Sequence, residues 1–163
     1  KALLSAELML PSGGGVLLSI ADKNKAESVA IIRELAAAQF RRYATEGTAD
    51  MIRGLGMEVE EVTKRLSEGH PNVVDVIQQR KVDCVVNTPE GGGPSAMRDG
   101  FQIRRAAVEN RIPCFTSLDT ARAAVRALLL ASQSTPTGSQ AYNVQPLRLY
   151  LRRDGSRKDS PDA

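Results

Sequence analysis

At 163 residues the chain is long enough to bury one core of ordinary size, and its 42% hydrophobic and 25% charged residues exclude a disordered composition. Much of the formal +3 charge comes from a basic tail at Arg148, Arg152, Arg153, Arg157 and Lys158; with 4% aromatic residues and no Trp, this argues against nucleic-acid binding. No apolar run approaches the roughly 18 residues of a membrane span, so no membrane partner is expected.

Residues 1–10 read as a short amphipathic helix that Pro11 and the run Ser12-Gly13-Gly14-Gly15 would end. Glu7 interrupts its apolar stretch, so it is expected to close a preceding domain rather than to serve as a signal peptide. Val16–Ile20 is a continuous apolar run of strand length, as expected of a central parallel strand covered on both faces. A polar loop at Asp22–Lys25 leads into a helix from Ala26 to Gln39, with Val29, Ile32, Leu35 and Ala36 at helical spacing. Phe40–Thr45 reads as a second strand, followed by a turn at Thr45-Glu46-Gly47-Thr48 and a helix over Ala49–Leu55 closed by Gly54 and Gly56. Met57–Thr63 mixes valines with acidic residues, the pattern of an edge strand.

Lys64–Pro71 reads as a loop, Val73–Arg80 as a short helix and Val82–Thr88 as another buried strand. Pro89–Pro94 is too rich in Gly and Pro for regular structure. Helix Phe101–Asn110, strand Ile112–Thr116 and a long helix capped by Ser117 or Asp119 and running to Ala131 complete the pattern. Ser132–Gln140 reads as a polar linker, Tyr142–Leu151 as an arm and Asp154–Ala163 as disordered. Strands and helices alternate five times, which predicts a three-layer α/β/α domain with a five-stranded, mainly parallel sheet.

In such sheets ligands gather at the C-terminal strand ends. The polar residues expected there are Ser19 with Lys25, Thr45 with Thr48, Lys64, Asn87 with Thr88, and Thr116. A helix starting at a Thr/Gly turn leaves its first N–H groups unpaired, and with hydroxyls and lysines beside them they suit a phosphate. The simpler alternative is that Thr45 or Thr48 caps that helix. Asn87 offers both donors and an acceptor, enough for a ribose or a base edge. Asp22 and Asp99 are the aspartates expected to reach the same face. Catalytic patterns are missing: His70 is the single histidine, and Cys84 and Cys114 lie apart in apolar strands, as buried reduced thiols. A binding domain without catalytic residues of its own is the expected outcome.

Several separated motifs carry a resemblance: Leu17–Lys25, Ala44–Thr48, Lys64–Asp75, Val86–Gly91, Arg98–Gly100, Ile103–Ala107 and Ile112-Pro113. Together they resemble the C-terminal allosteric domain of the carbamoyl-phosphate synthase large subunit, a methylglyoxal-synthase-like fold. The resemblance covers 14–131; residues 1–13 would end a preceding domain or linker, and 132–163 would form a C-terminal arm and tail.

The resemblance implies a flavodoxin-like sheet and an effector pocket at the strand ends. A nucleotide phosphate (UMP, UTP or IMP) would contact Lys25, Thr45, Thr48 and Lys64. Ser19, Asn87, Thr88 and Asp99 would face its sugar and base, and Thr116 matches a segment linked to ornithine. It further implies a cytoplasmic enzyme of pyrimidine and arginine synthesis, whose partners are the rest of the large subunit and the glutaminase subunit. No cofactor is expected in this domain, since ATP and Mg serve the parent enzyme's catalytic domains. Pro89 departs from the family pattern, standing where some members place another pocket threonine, and the glycine-rich loop after it is longer. The alternatives are a stand-alone methylglyoxal-synthase-like lyase, which needs an Asp base that Glu68-Gly69-His70-Pro71 does not supply, and an IMP-cyclohydrolase-like enzyme.

Overall fold

The computed structural model describes residues 13–64, 69–89 and 94–133. The elements expected at 1–10, 142–151 and 154–163 lie outside the described residues, as do positions 65–68 of the loop after the third strand and 90–93 of the glycine-rich loop.

The chain runs β1 (Gly15–Ser19), α1 (Lys25–Ala37), β2 (Arg41–Thr45), α2 (Glu46–Gly54), β3 (Glu60–Val62), α3 (Val73–Gln78), β4 (Cys84–Asn87), α4 (Pro94–Glu109), β5 (Cys114–Phe115) and α5 (Leu118–Gln133), with one 3₁₀ turn at Asp22–Asn24. The five strands form one sheet in the order β3-β2-β1-β4-β5, and every pairing is parallel. Parallel neighbours need crossover connections, and helices supply all of them.

The inner strands carry apolar residues on both faces. Val16, Leu18, Cys84 and Val86 point to one side, where α1 (Ile31, Ile32, Leu35), α2 (Ala49, Ile52) and α5 (Leu118, Ala121, Val125) close a core. Leu17, Tyr43 and Val85 point to the other, against α3 (Val73, Val76, Ile77) and α4 (Ile103, Ala106, Ala107). That double burial is why β1 and β4 read as unbroken apolar runs.

Gly15 allows the closest backbone approach in the sheet: a Cβ there would stand 2.0 Å from the Lys81 carbonyl oxygen. Its N–H donates to Asp83 Oδ2 at 2.8 Å, and its carbonyl accepts from Asp83 N at 2.8 Å.

Two helices start earlier than expected. α2 begins at Glu46, so Gly47 and Thr48 belong to its first turn and not to a preceding loop. α4 begins at Pro94, seven residues ahead of the expected Phe101. Proline at a helix start loses no bond, because the first-turn N–H groups have no intrahelical acceptor.

Candidate functional site

The chain adds β2 and β3 on one side of β1, then β4 and β5 on the other. β1 and β4 therefore flank the topological switch point, where open α/β sheets leave a crevice at the carboxyl ends of the strands. Ser19 and Asn87 face each other across it as register partners. The crevice wall is stitched by buried hydroxyls: Thr88 N–H donates to Ser19 O at 3.1 Å, and Thr88 Oγ1 accepts from Ala21 N at 2.7 Å.

Thr48 does the same on the β2 side. Its Oγ1 accepts from Ile20 N at 3.1 Å and lies 3.5 Å from Ile20 O, with the side chain buried in the core. Thr45 is the N-cap residue of α2, yet its side chain makes no capping bond. Neither threonine caps the helix with its hydroxyl, so the first-turn N–H groups of α2 are not closed by them.

Lys25 opens α1, and its ammonium lies over the first turn of α2: a Cβ on Gly47 would stand 3.1 Å from Lys25 Nζ. Glycine at 47 thus lets a cation approach the positive end of a helix dipole, an arrangement suited to sharing an anion. A carboxylate is already present, since Lys25 Nζ pairs with Asp22 Oδ1 at 2.7 Å. That hydrogen bond and charge hold the Asp22 carboxyl below its usual value, and the charge of Lys64 acts in the same direction. Lys64 follows Thr63, which is anchored by its N–H to Pro71 O at 3.1 Å and by Oγ1 to Gly69 O at 3.1 Å.

On the β4 side, buried Asn87 donates from Nδ2 to Gly100 O in α4 at 3.1 Å. Asp99, half-buried, precedes Gly100 in the same helix. The structure therefore puts Ser19, Thr45, Asn87 and Thr88 at the C-terminal ends of β1, β2 and β4, with Lys25 over the first turn of α2, Thr48 inside that turn and the Lys64 charge acting on Asp22, a rim from which Asp99 is one residue removed at Gly100. Thr116 is exposed beyond β5, in a cleft of ≈ 260 Å³ that it shares with Thr88, Pro89, Lys23, Ser117 and Asp119. A cleft of ≈ 610 Å³ at the opposite end of the sheet, lined by Phe40–Tyr43 and Glu58–Glu60, holds none of the expected site residues.

Sequence reasoning had no role for Arg104, whose guanidinium lies over Gly100: a Cβ there would stand 2.9 Å from Nη1. No sequence signal placed Gly100 in the same helix as Arg104, because the expected helix began only at Phe101. The cysteines are free thiols, Cys84 buried and Cys114 half-buried. Burial pushes the Cys84 thiol up to about 12 and the Cys114 thiol up to about 11, which disfavours the reactive thiolate at both. Among the described residues, no helix is long and apolar enough to cross a membrane.

Comparison with known proteins agrees with this architecture. The carbamoyl phosphate synthase large chain of Thermomicrobium roseum is 48% identical over 154 residues, 94% of this chain and 14% of the relative. The C-terminal section of that large chain from Methanopyrus kandleri is 42% identical over 144 residues, 88% of this chain and 26% of the relative. The chain thus spans a minor part of the length of these relatives. A crystal structure of methylglyoxal synthase from Elizabethkingia anophelis NUHP1 shares the fold, with a TM-score of 0.51 at 20% identity, covering 94% of this chain and 97% of that one. The family model described as the MGS-like domain matches residues 27–116, more than half of the sequence, and the chain belongs to that family.

Proposed function

We propose that the chain is the regulatory domain of a carbamoyl-phosphate synthase large subunit, and that its strand-end rim binds a mononucleotide such as UMP or IMP. The observation that carries this reading is the Lys25 ammonium resting over Gly47 at the start of α2. In this reading a phosphate lies between that ammonium, the first-turn N–H groups and Lys64, while Ser19 and Asn87 meet the ribose. Thr45 contributes its uncommitted hydroxyl to the phosphate. Thr48 and Thr88 keep the two strand ends in register beneath it. Asp99 faces the base side, and Thr116, in the cleft it shares with Thr88 at the edge of the rim, is the place for a second effector such as ornithine.

The likeness to large chains of carbamoyl phosphate synthase supports the rest of that subunit as the partner. Regulation then consists of a difference in effector affinity between two states of the whole enzyme, commonly about 1–3 kcal/mol. An effector that binds both states equally would regulate nothing.

Calorimetric titration of the 163-residue chain with UMP, UTP, IMP and ornithine tests the reading. A saturable nucleotide heat that weakens with added salt is expected, because charges at this rim are open to screening. Absence of any nucleotide heat, or turnover of dihydroxyacetone phosphate or of a formylated purine ribotide by the chain, would overturn it.

A further inference from the structure

The phosphate corner leaves one cation of the rim without a task. Arg104 is half-buried on α4, one turn after Gly100. Helical side chains lean toward the N-terminus of their helix, and α4 starts from the C-terminal end of β4, so Arg104 leans back toward the strand ends. Its Nη1 lies 2.9 Å from the point a Gly100 Cβ would occupy, and Asn87 Nδ2 lies 3.7 Å from that same point. The guanidinium therefore rests on a bare Cα, on the helix turn to which Asn87, the register partner of Ser19, also bonds. Among the described residues it forms no hydrogen bond or ion pair.

A guanidinium has five donors and no acceptor, so it reads acceptor oxygens and rejects amino groups. We propose that Arg104 is a specificity-determining residue of this rim, donating to the ring carbonyl oxygens of a keto base such as uracil or hypoxanthine, and that Gly100 is the positioning residue that leaves it room. This rests on the mononucleotide reading: a phosphate at Lys25 and a ribose across Ser19 and Asn87 bring the base to the Arg104 side. Cytosine carries an amino group in place of uracil O4, and adenine one in place of hypoxanthine O6, so at that edge position donor would face donor and one guanidinium bond would be lost.

The test is titration of UMP against CMP, and of IMP against AMP, into the 163-residue chain and its Arg104→Gln, Arg104→Lys and Gly100→Ala variants. The unmodified chain is expected to prefer each keto nucleotide by at least about tenfold, the discrimination typical of a charged donor set on a base edge. Arg104→Gln should bring that ratio to within about twofold while inorganic phosphate competes as before, and Arg104→Lys should restore part of it. Gly100→Ala should lower the ratio likewise with helix content unchanged, because its Cβ meets the movable tip of Arg104 and alanine suits a helix interior. A ratio unmoved by both Arg104→Gln and Gly100→Ala overturns the inference and leaves the mononucleotide reading intact. Loss of phosphate competition in Arg104→Gln also overturns it, by assigning the guanidinium to the phosphate. Failure of the unmodified chain to bind any nucleotide removes both together.

Discussion

Asp22 places Oδ1 2.7 Å from Lys25 Nζ, so the cation that overhangs Gly47 already has a carboxylate beside it. Lys25 and Lys64 together hold the Asp22 carboxyl below its usual range. It is therefore ionised throughout the neutral range, and an incoming phosphate must either displace it or be repelled by it. Asp22→Asn should raise affinity for a mononucleotide by up to about fivefold, the scale of one exposed charge pair. The gain should shrink with added salt. Calorimetry on the two forms at low and high ionic strength measures it; weaker binding in the variant would show that Asp22 assists the ligand instead of competing with it.

Thr48 is a less simple probe of phosphate binding than its position in the sequence implies. Its hydroxyl is the acceptor for the buried Ile20 N–H, and the valine isostere leaves that donor without a partner. Thr48→Val should therefore lose about 1–3 kcal/mol of stability. For a chain of this length each kcal/mol lowers the melting temperature by roughly 2–4 °C. Thr48→Ser keeps the oxygen and should recover most of both stability and nucleotide affinity. If the valine variant melts with the parent chain, the hydroxyl does not hold β1 to α2.

These two side chains mark the limits of reading the sequence alone. The five-fold alternation, the double-sided burial of β1 and β4 and the edge position of β3 were all legible, because each follows from apolar periodicity. The start of α2 was not. Thr45-Glu46-Gly47-Thr48 has the local chemistry of a turn, yet it is helical from Glu46, and Thr48 is tied to Ile20, 28 residues away. α4 was shortened because its apolar spacing was legible only from Phe101 onward, whereas the helix runs from Pro94 and holds Gly100 beneath Arg104. β3 shrank to Glu60–Val62 because only those residues find register with β2. The strand-end placement of the polar residues followed from topology. The pairing of Lys25 with Asp22, and its approach to Gly47, depends on side-chain directions that no local pattern encodes.

Asn72 closes the start of α3 with a reciprocal cap. Its Oδ1 accepts from Val74 N at 3.0 Å and Asp75 N at 3.1 Å, while Asp75 Oδ2 accepts from Asn72 N at 2.9 Å. The Asn72 N–H, followed by His70, holds the Asp75 carboxyl below its usual value. A carboxyl depressed in the folded state adds stability that is complete above its unfolded value of about 3.9 and is lost as pH falls through the folded one. Asp75→Asn should therefore flatten the acid side of the stability profile below about pH 4 and change little of its slope near pH 7. Asn72→Ala should cost about 1 kcal/mol at neutral pH, the usual value of an N-cap. Thermal melts from pH 2.5 to 8 measure both, and an acid limb of unchanged slope in Asp75→Asn would remove that carboxylate from the account.

Gly15 and Gly54 offer a matched pair, one glycine demanded by the fold and one not. A Cβ at Gly15 would meet the Lys81 carbonyl oxygen at 2.0 Å and the Val82 Cα at 3.0 Å, both backbone atoms that cannot swing aside. Gly15→Ala must push β1 away from the segment entering β4, straining the Gly15–Asp83 hydrogen bonds and the central pairing together. The expected loss is about 3 kcal/mol, at the upper end of the range for overpacked cores. At Gly54, the last residue of α2, nothing lies within 4 Å of the added carbon. Gly54→Ala should be neutral or stabilising by up to about 1 kcal/mol, from helix propensity alone. Chemical denaturation of the two variants side by side reads the difference directly. Equal midpoints would mean that β1 and β4 do not approach as closely as the Gly15 contact requires, and the switch point between Ser19 and Asn87, on which the rim is built, would have to be redrawn.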